Sequence, residues 1–309
     1  MAGCNHDCEH CGSKGGCNEI PKAKLNAKSS VKKVIAVLSG KGGVGKSFVT
    51  SMIAVTLNRK GYSVGILDGD ITGPSIPKAF GINHNAYAED GLICPLESKT
   101  GIKIISSNCL LEHTDDPIVW RGTLLGNLVK QFYEEVLWEE LDYLVIDMPP
   151  GTGDIALTVF QTIPVDDLVI VTSPQDLVSL IVTKAIKMAN MMDIHVSGVV
   201  ENMSYFICPN CNEKHYIFGD GNVAELAKQY SADSHAKDGG LWANVTPDDV
   251  FRAEIVEAVR DNGEIVSSTL IRRLIVTGDK LPEANQLVKT RGNALYDAST
   301  KLVKQISKY

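Results

Sequence analysis

No stretch of this 309-residue chain approaches the run of about 18–20 apolar residues that a membrane-spanning helix requires. Residues 1–27 also lack the apolar core of a secretory signal. Positive charge is short as well: 30 Lys and Arg stand against 37 Asp and Glu, a formal net charge of −7, which disfavours polyanions. No internal repeat is detectable. These absences point to a cytoplasmic protein whose partners include neither nucleic acid nor membrane. A reducing compartment keeps thiols free, so the eight cysteines read as metal or redox chemistry rather than as structural disulfides.

What is present is the composition of a folded domain, 44% hydrophobic and 22% charged. Short continuous apolar runs recur at 34–38, 64–67, 102–105, 143–146, 168–171 and 196–200. Each is too short for a core helix, and continuous rather than alternating hydrophobicity marks strands buried on both faces. Helical patterns fall between them, at 46–59, 124–137 and 177–192. Strand and helix in alternation predict an α/β fold with a doubly wound, mostly parallel sheet. Beyond residue 229 the pattern weakens: 231–248 is loop-like, 253–259 reads as helix, and 294–306 places Leu295, Leu302 and Ile306 on one helical face. The resulting division is a Cys-rich head and linker (1–30), a nucleotide-binding domain (31–275) and a C-terminal helical extension (276–309), with 13–33 as a flexible, Gly-, Lys- and Ser-rich connection.

Residues 40–47, GKGGVGKS, fit the phosphate-loop pattern, and they follow an apolar strand and open a helix. The glycines Gly40, Gly42, Gly43 and Gly45, with Val44, let backbone N–H groups wrap phosphates. Lys46 supplies the point charge on the outer phosphates, and the Ser47 hydroxyl is placed to ligate Mg2+. A second lysine, Lys41, gives the loop the deviant form of the MinD and ParA class, which implies a residue that reaches a partner subunit's nucleotide in an ATP-sandwiched homodimer. Asp68 and Asp70 follow one strand and Asp147 another, at the carboxyl ends where open α/β sheets bind ligands. Asp147 is expected to hold the Mg2+ shell and Asp70 to orient attacking water.

Cysteine spacing carries the rest. Cys4, Cys8, Cys11 and Cys17 place four thiolates within fourteen residues, enough for one tetrahedral ion or one cubane cluster. Spacing alone leaves iron–sulfur and zinc both open, with His6 and His10 as further zinc ligands. Cys208 and Cys211, in C-P-N-C, leave a metal half-coordinated; a redox dithiol, a partner within the chain such as His215, or the same pair from a second subunit completes the chemistry. Cys94 and Cys109 are isolated and read as small buried hydrophobes.

Taken together, GKGGVGKS, LDGDITGPSIPKAFG (67–81), DPIVWRG (116–122), DYLVIDMPPGTGD (142–154), SPQDLVS (173–179) and GVVENMSYFICPNC (198–211) resemble the Mrp/ApbC family of iron–sulfur carrier ATPases over about residues 31–218. The resemblance implies a P-loop ATPase, slow and coupled to cluster transfer, that acts as a homodimer and passes [4Fe–4S] clusters to apo-proteins. It implies that Cys208 and Cys211 from two subunits bridge a labile cluster and that Asn202 reads the adenine. The four-cysteine head is similar to that of the Nbp-type branch, which implies a second [4Fe–4S] cluster there. Phe48 stands where the family usually carries Ser or Thr, removing a hydroxyl contact to the α-phosphate, and Thr123 replaces a usual proline. Two rival functions remain in view. One is a positioning ATPase of the MinD or ParA type, with Lys301, Lys304 and Lys308 on a terminal helix; the other is a zinc-headed nucleotide-dependent switch.

Overall fold

A computed structural model describes residues 21–70, 75–82, 84–110, 122–174, 178–208, 211, 213–219, 250–254, 260–261 and 264–265. In chain order the elements are β1 Ser30–Ser39, α1 Lys46–Arg59, β2 Val64–Asp68, α2 Ile76–Ala79, β3 Tyr87–Glu89, β4 Leu92–Cys94, β5 Leu96–Glu97 and β6 Lys103–Ser106. They continue as α3 Gly122–Glu135, β7 Glu140–Asp147, α4 Asp154–Thr162, β8 Asp167–Thr172, α5 Val178–Met191, β9 His195–Ile207, β10 Lys214–His215, β11 Val250–Glu254, β12 Arg260–Asp261 and β13 Glu264–Ile265.

The main sheet runs β10-β9-β8-β1-β7-β2-β6-β5, with β11 also on β9. Its centre is parallel throughout, from β9 through β8, β1, β7 and β2 to β6, while β5 and β10 are antiparallel additions at the two ends. The continuous apolar runs are the reason: every residue of β2 and β8 is buried, as a strand covered on both faces must be. Helix α1 is buried at every position from Val49 to Leu57. Its polar residues escape the cost of burial by donating back along the helix, Thr56 Oγ1 to the Met52 carbonyl at 2.6 Å and Ser51 Oγ to that of Ser47 at 2.8 Å.

Register sets the site. Asp147, the last residue of β7, lies opposite Val37 of β1 on one side and Asp68 of β2 on the other. The loop after β1 and the carboxylates ending β2 and β7 therefore meet at one carboxyl-terminal edge of the sheet.

Three expectations change. The connection read as flexible is pinned over its second half: Lys22 Nζ donates to the Phe160 carbonyl (2.6 Å), the Ala23 amide to Thr162 (2.6 Å), and Asn26 Nδ2 to Val136 (2.8 Å). The helix expected over 253–259 is not formed at its start, because Ala253 and Glu254 belong to β11, a parallel partner of β9; residues 255–259 lie outside the described set. The hairpin of β3 and β4 was not expected; Asp90 (φ 53°) and Gly91 (φ 78°) make the two-residue, positive-φ turn that suits a right-twisted pair of strands. The helix expected over 294–306, the loop over 231–248 and the extension from 276 lie outside the described residues.

Candidate functional site

The chain turns from β1 into α1 through residues 40–45, and the turn depends on Gly45. This residue precedes the helix with φ 84°, a left-handed conformation. A Cβ there would lie 2.3 Å from Asn202 Nδ2, so glycine is required for space as well as for backbone angle. Asn202, on β9, is buried and donates Nδ2 to the Val44 carbonyl at 2.9 Å. The loop is thus fastened to a neighbouring strand by a side chain 158 positions away. Gly40 is equally constrained, because its Cβ would coincide with Ile181 of α5. Gly42 and Gly43 are exposed, and the Lys41 carbonyl accepts from Ser39 Oγ at 3.0 Å.

Three side chains converge on Asp147, which is fully buried. Lys46 Nζ lies 2.7 Å from Oδ2, Ser47 Oγ donates to the same oxygen at 2.6 Å, and Thr50 Oγ1 donates to Oδ1 at 2.7 Å. Asp70 sits 3.6 Å from Lys46 Nζ on the open side. Lys46 is buried and ion-paired, yet an ammonium carries three N–H donors, so one or more is left for another acceptor. A buried cation with a donor to spare beside an exposed glycine loop is the donor set of a phosphate site. Ser47 and Asp147, whose oxygens already touch, are the oxygen donors that Mg2+ prefers.

Sequence reasoning missed two members of this group. Thr50 lies one turn beyond Lys46 on α1, a spacing that puts both on one face and was available in the sequence. Asp68 was noted but given no role; it is fully buried, and its oxygens accept the Asp70 amide at 3.2 Å and the Ile76 amide at 3.4 Å. Burial, then the neighbouring Asp147 carboxylate, push its carboxyl well above the usual carboxylate range, against the opposing pull of Lys46. Asp68 thereby ties the stretch holding Asp70 to the end of β2.

The second group lies at the far end of β9. Cys208 is half-buried, while Cys211 and His215 are exposed. The Cys208 amide donates to the Glu213 carbonyl at 2.9 Å, and β10 folds back on β9 with His215 opposite Phe206. The two sulfurs and a ring nitrogen of His215 lie within 4.8 Å of one another. The Cys211 thiol points at the Glu213 carboxylate, 3.9 Å away. Tyr216, Ile217 and Phe218 follow directly and are all exposed. Cys94 and Cys109 are buried as expected, and burial pushes the Cys109 thiol up to about 11, the behaviour of an inert core residue. Cys4, Cys8, Cys11 and Cys17 lie outside the described residues. Phe48 packs against the core. No helix among the described residues is long and apolar enough to cross a membrane.

Residues 30–237 match a family model described as ParA, NUBPL iron-transfer P-loop NTPase. An iron-sulfur cluster carrier protein of Clostridium perfringens is 48% identical over 230 residues, 72% of this chain and 81% of that one. A protein of the same description from Methanocaldococcus jannaschii is 46% identical over 238 residues, 74% and 82% of the two chains. Among solved structures, a nucleotide-binding protein from Archaeoglobus fulgidus in complex with ADP, with cobalt found in it, superposes with a TM-score of 0.63 at 38% identity, over 82% of this chain and 90% of that one. The cell division ATPase MinD of Pyrococcus furiosus gives a TM-score of 0.54 at 18% identity over 90% and 99%, a likeness of fold alone.

Proposed function

This chain belongs to the NUBPL-type iron-transfer family of P-loop NTPases, and from that membership we propose that it is an ATP-hydrolysing carrier that delivers [4Fe–4S] clusters to apo iron–sulfur proteins. The observation that carries this reading is that one strand, β9, bears a nucleotide-loop contact and leads directly into a thiolate pair. Asn202 holds Val44 of the phosphate loop, and Cys208 lies six residues further along the same segment.

At the nucleotide end, backbone N–H groups of residues 40–45 wrap the phosphates and Lys46 turns its unused donors onto them. Asn202 contacts the adenine, Lys41 reaches the nucleotide of a second subunit, and Asp70 orients the attacking water. Ser47 and Asp147 hold Mg2+, which when bound neutralises charge developing on the phosphate oxygens. The Ser47 proton now shared with Asp147 is the contact that opens to admit it.

At the other end the cluster is cargo. Two thiolates per chain cannot complete a four-thiolate cubane, so Cys208 and Cys211 from two subunits hold it at a two-fold interface. Support comes from exposure: Cys211 and the apolar residues Tyr216, Ile217 and Phe218 are presented outward, with Cys208 half-buried beside them, as an interface needs. Nucleotide and cluster both act on how subunits meet, so each changes the affinity for the other, and turnover is slow because it is tied to that dimer state. The head cysteines Cys4, Cys8, Cys11 and Cys17 hold a second cluster. Replacing Cys208 and Cys211 by Ala tests the reading: transfer of a cluster to an apo-acceptor should be lost while ATP binding is kept. Transfer at the wild-type rate would remove the pair from the mechanism.

A further inference from the structure

A thiolate pair meant only for sharing between subunits needs no third ligand of its own, yet a ring nitrogen of His215 lies within 4.8 Å of both sulfurs. The arrangement is built by the backbone. β9 ends at Ile207 opposite Lys214, the Cys208 amide closes the turn on the Glu213 carbonyl at 2.9 Å, and His215 is carried back opposite Phe206. Lys214, between the turn and His215, is laid over the Tyr205 ring at 4.5 Å, which fixes the return strand from its other face. A tetrahedral ion with bonds of about 2.3 Å to sulfur and about 2.0 Å to nitrogen needs ligand atoms about 3.5–3.8 Å apart. The remaining gap is at most about 1 Å, within the reach of side-chain rotation at Cys211 and His215, which are both exposed.

We propose that Cys208, Cys211 and His215 of a single subunit form a three-ligand site for a divalent cation of the zinc class, and that filling it excludes sharing of the same two thiolates across a dimer. Three protein ligands with the fourth position left to solvent is the pattern of an exchangeable rather than a sealed site. Loading involves no change of oxidation state. The two thiols lose their protons to solvent, the hydrogen bond from Cys211 to Glu213 is given up, and two sulfurs and one imidazole nitrogen bind the ion. A thiolate so engaged in its own subunit is not available to a cluster between two. The single ion therefore selects the unpaired subunit and the cluster selects the dimer. This inference rests on the carrier reading for its consequence, but not for the site itself.

The test uses the full-length protein with Cys4, Cys8, Cys11 and Cys17 replaced by Ser, kept anaerobic and titrated with Co2+ alone. Saturation at one Co2+ per chain is expected, with thiolate-to-cobalt charge transfer and the intense visible bands of a four-coordinate ion, and with sedimentation unchanged from the metal-free protein. His215→Ala should weaken binding by about tenfold or more, because even ligand-supporting residues contribute that much, and His215→Cys should restore it. Saturation at one Co2+ per two chains, or an affinity unmoved by His215→Ala, would overturn the site. Preloading with Zn2+ should block cluster assembly at the pair in the wild-type background and block it less in His215→Ala; equal assembly with and without Zn2+ would overturn the exclusion. A protein that binds Co2+ as described but never assembles a cluster upholds the site and sinks the carrier reading. One that assembles clusters yet is indifferent to His215 does the reverse.

Discussion

Substitution of Gly45 by Ala tests how the phosphate loop is held. At φ 84° an alanine carries the left-handed penalty of about 1–2 kcal/mol. Its Cβ would also sit 2.3 Å from Asn202 Nδ2, so the amide must swing away and abandon the Val44 carbonyl it now meets at 2.9 Å. Losing that bond costs about 0.5–1.5 kcal/mol, and more if the buried carbonyl finds no other donor. The sum is about 1.5–3.5 kcal/mol, and it divides cleanly. On an Asn202→Ala background the clash and the bond are both gone, so Gly45→Ala should there cost only the backbone part. Urea denaturation of the four proteins, wild type, two single and one double variant, gives the coupling directly, expected at about 0.5–1.5 kcal/mol. A Gly45→Ala cost that is the same on both backgrounds would refute the contact as the reason for the glycine.

Lys46→Ala should reduce ATP hydrolysis by about a hundredfold or more while far-ultraviolet circular dichroism stays native; undiminished turnover would remove Lys46 from the phosphate site. Phe48→Thr should tighten ATP binding by about two- to tenfold, the value of one regained hydrogen bond, at some loss of thermal stability because Phe48 packs on the core; calorimetric titration with ATP reads the first and a melting curve the second. Asp68→Asn isolates the buried carboxyl. Because the folded protein holds that acid protonated above its usual range, stability drains away as pH rises from its unfolded value toward its folded one. Asparagine cannot ionise, so the stability of the variant relative to wild type should grow as pH rises above the usual carboxylate range toward the raised folded-state value. A difference independent of pH would show that Asp68 does not titrate in this way.

Much of the site was legible because it is local. The α1 range follows from a phosphate loop at its start and Gly61 just past its end, and the observed helix has those limits. The buried parallel strands announce themselves by unbroken apolar runs, whereas β11 does not. Ala253 and Glu254 favour helix by intrinsic propensity, and only the edge of β9 draws them into a strand. The carboxylate cluster was half legible. Asp147 and Asp70 stand where strands end, but the burial of Asp68 depends on its register with Asp147, which no local pattern carries. The proximity of Cys208, Cys211 and His215 could be guessed from spacing; that a backbone bond from Cys208 to Glu213 closes the turn could not.

The proposed carrier mechanism turns on whether two subunits share one cluster through Cys208 and Cys211. Native mass spectrometry under anaerobic conditions reads it directly on full-length protein with Cys4, Cys8, Cys11 and Cys17 replaced by Ser and loaded with iron and sulfide. A dimer whose mass exceeds two chains by one [4Fe–4S] cluster is expected, and it should disappear when Cys208 and Cys211 are also replaced. A cluster carried by a single chain, or one that survives the loss of both cysteines, would contradict it.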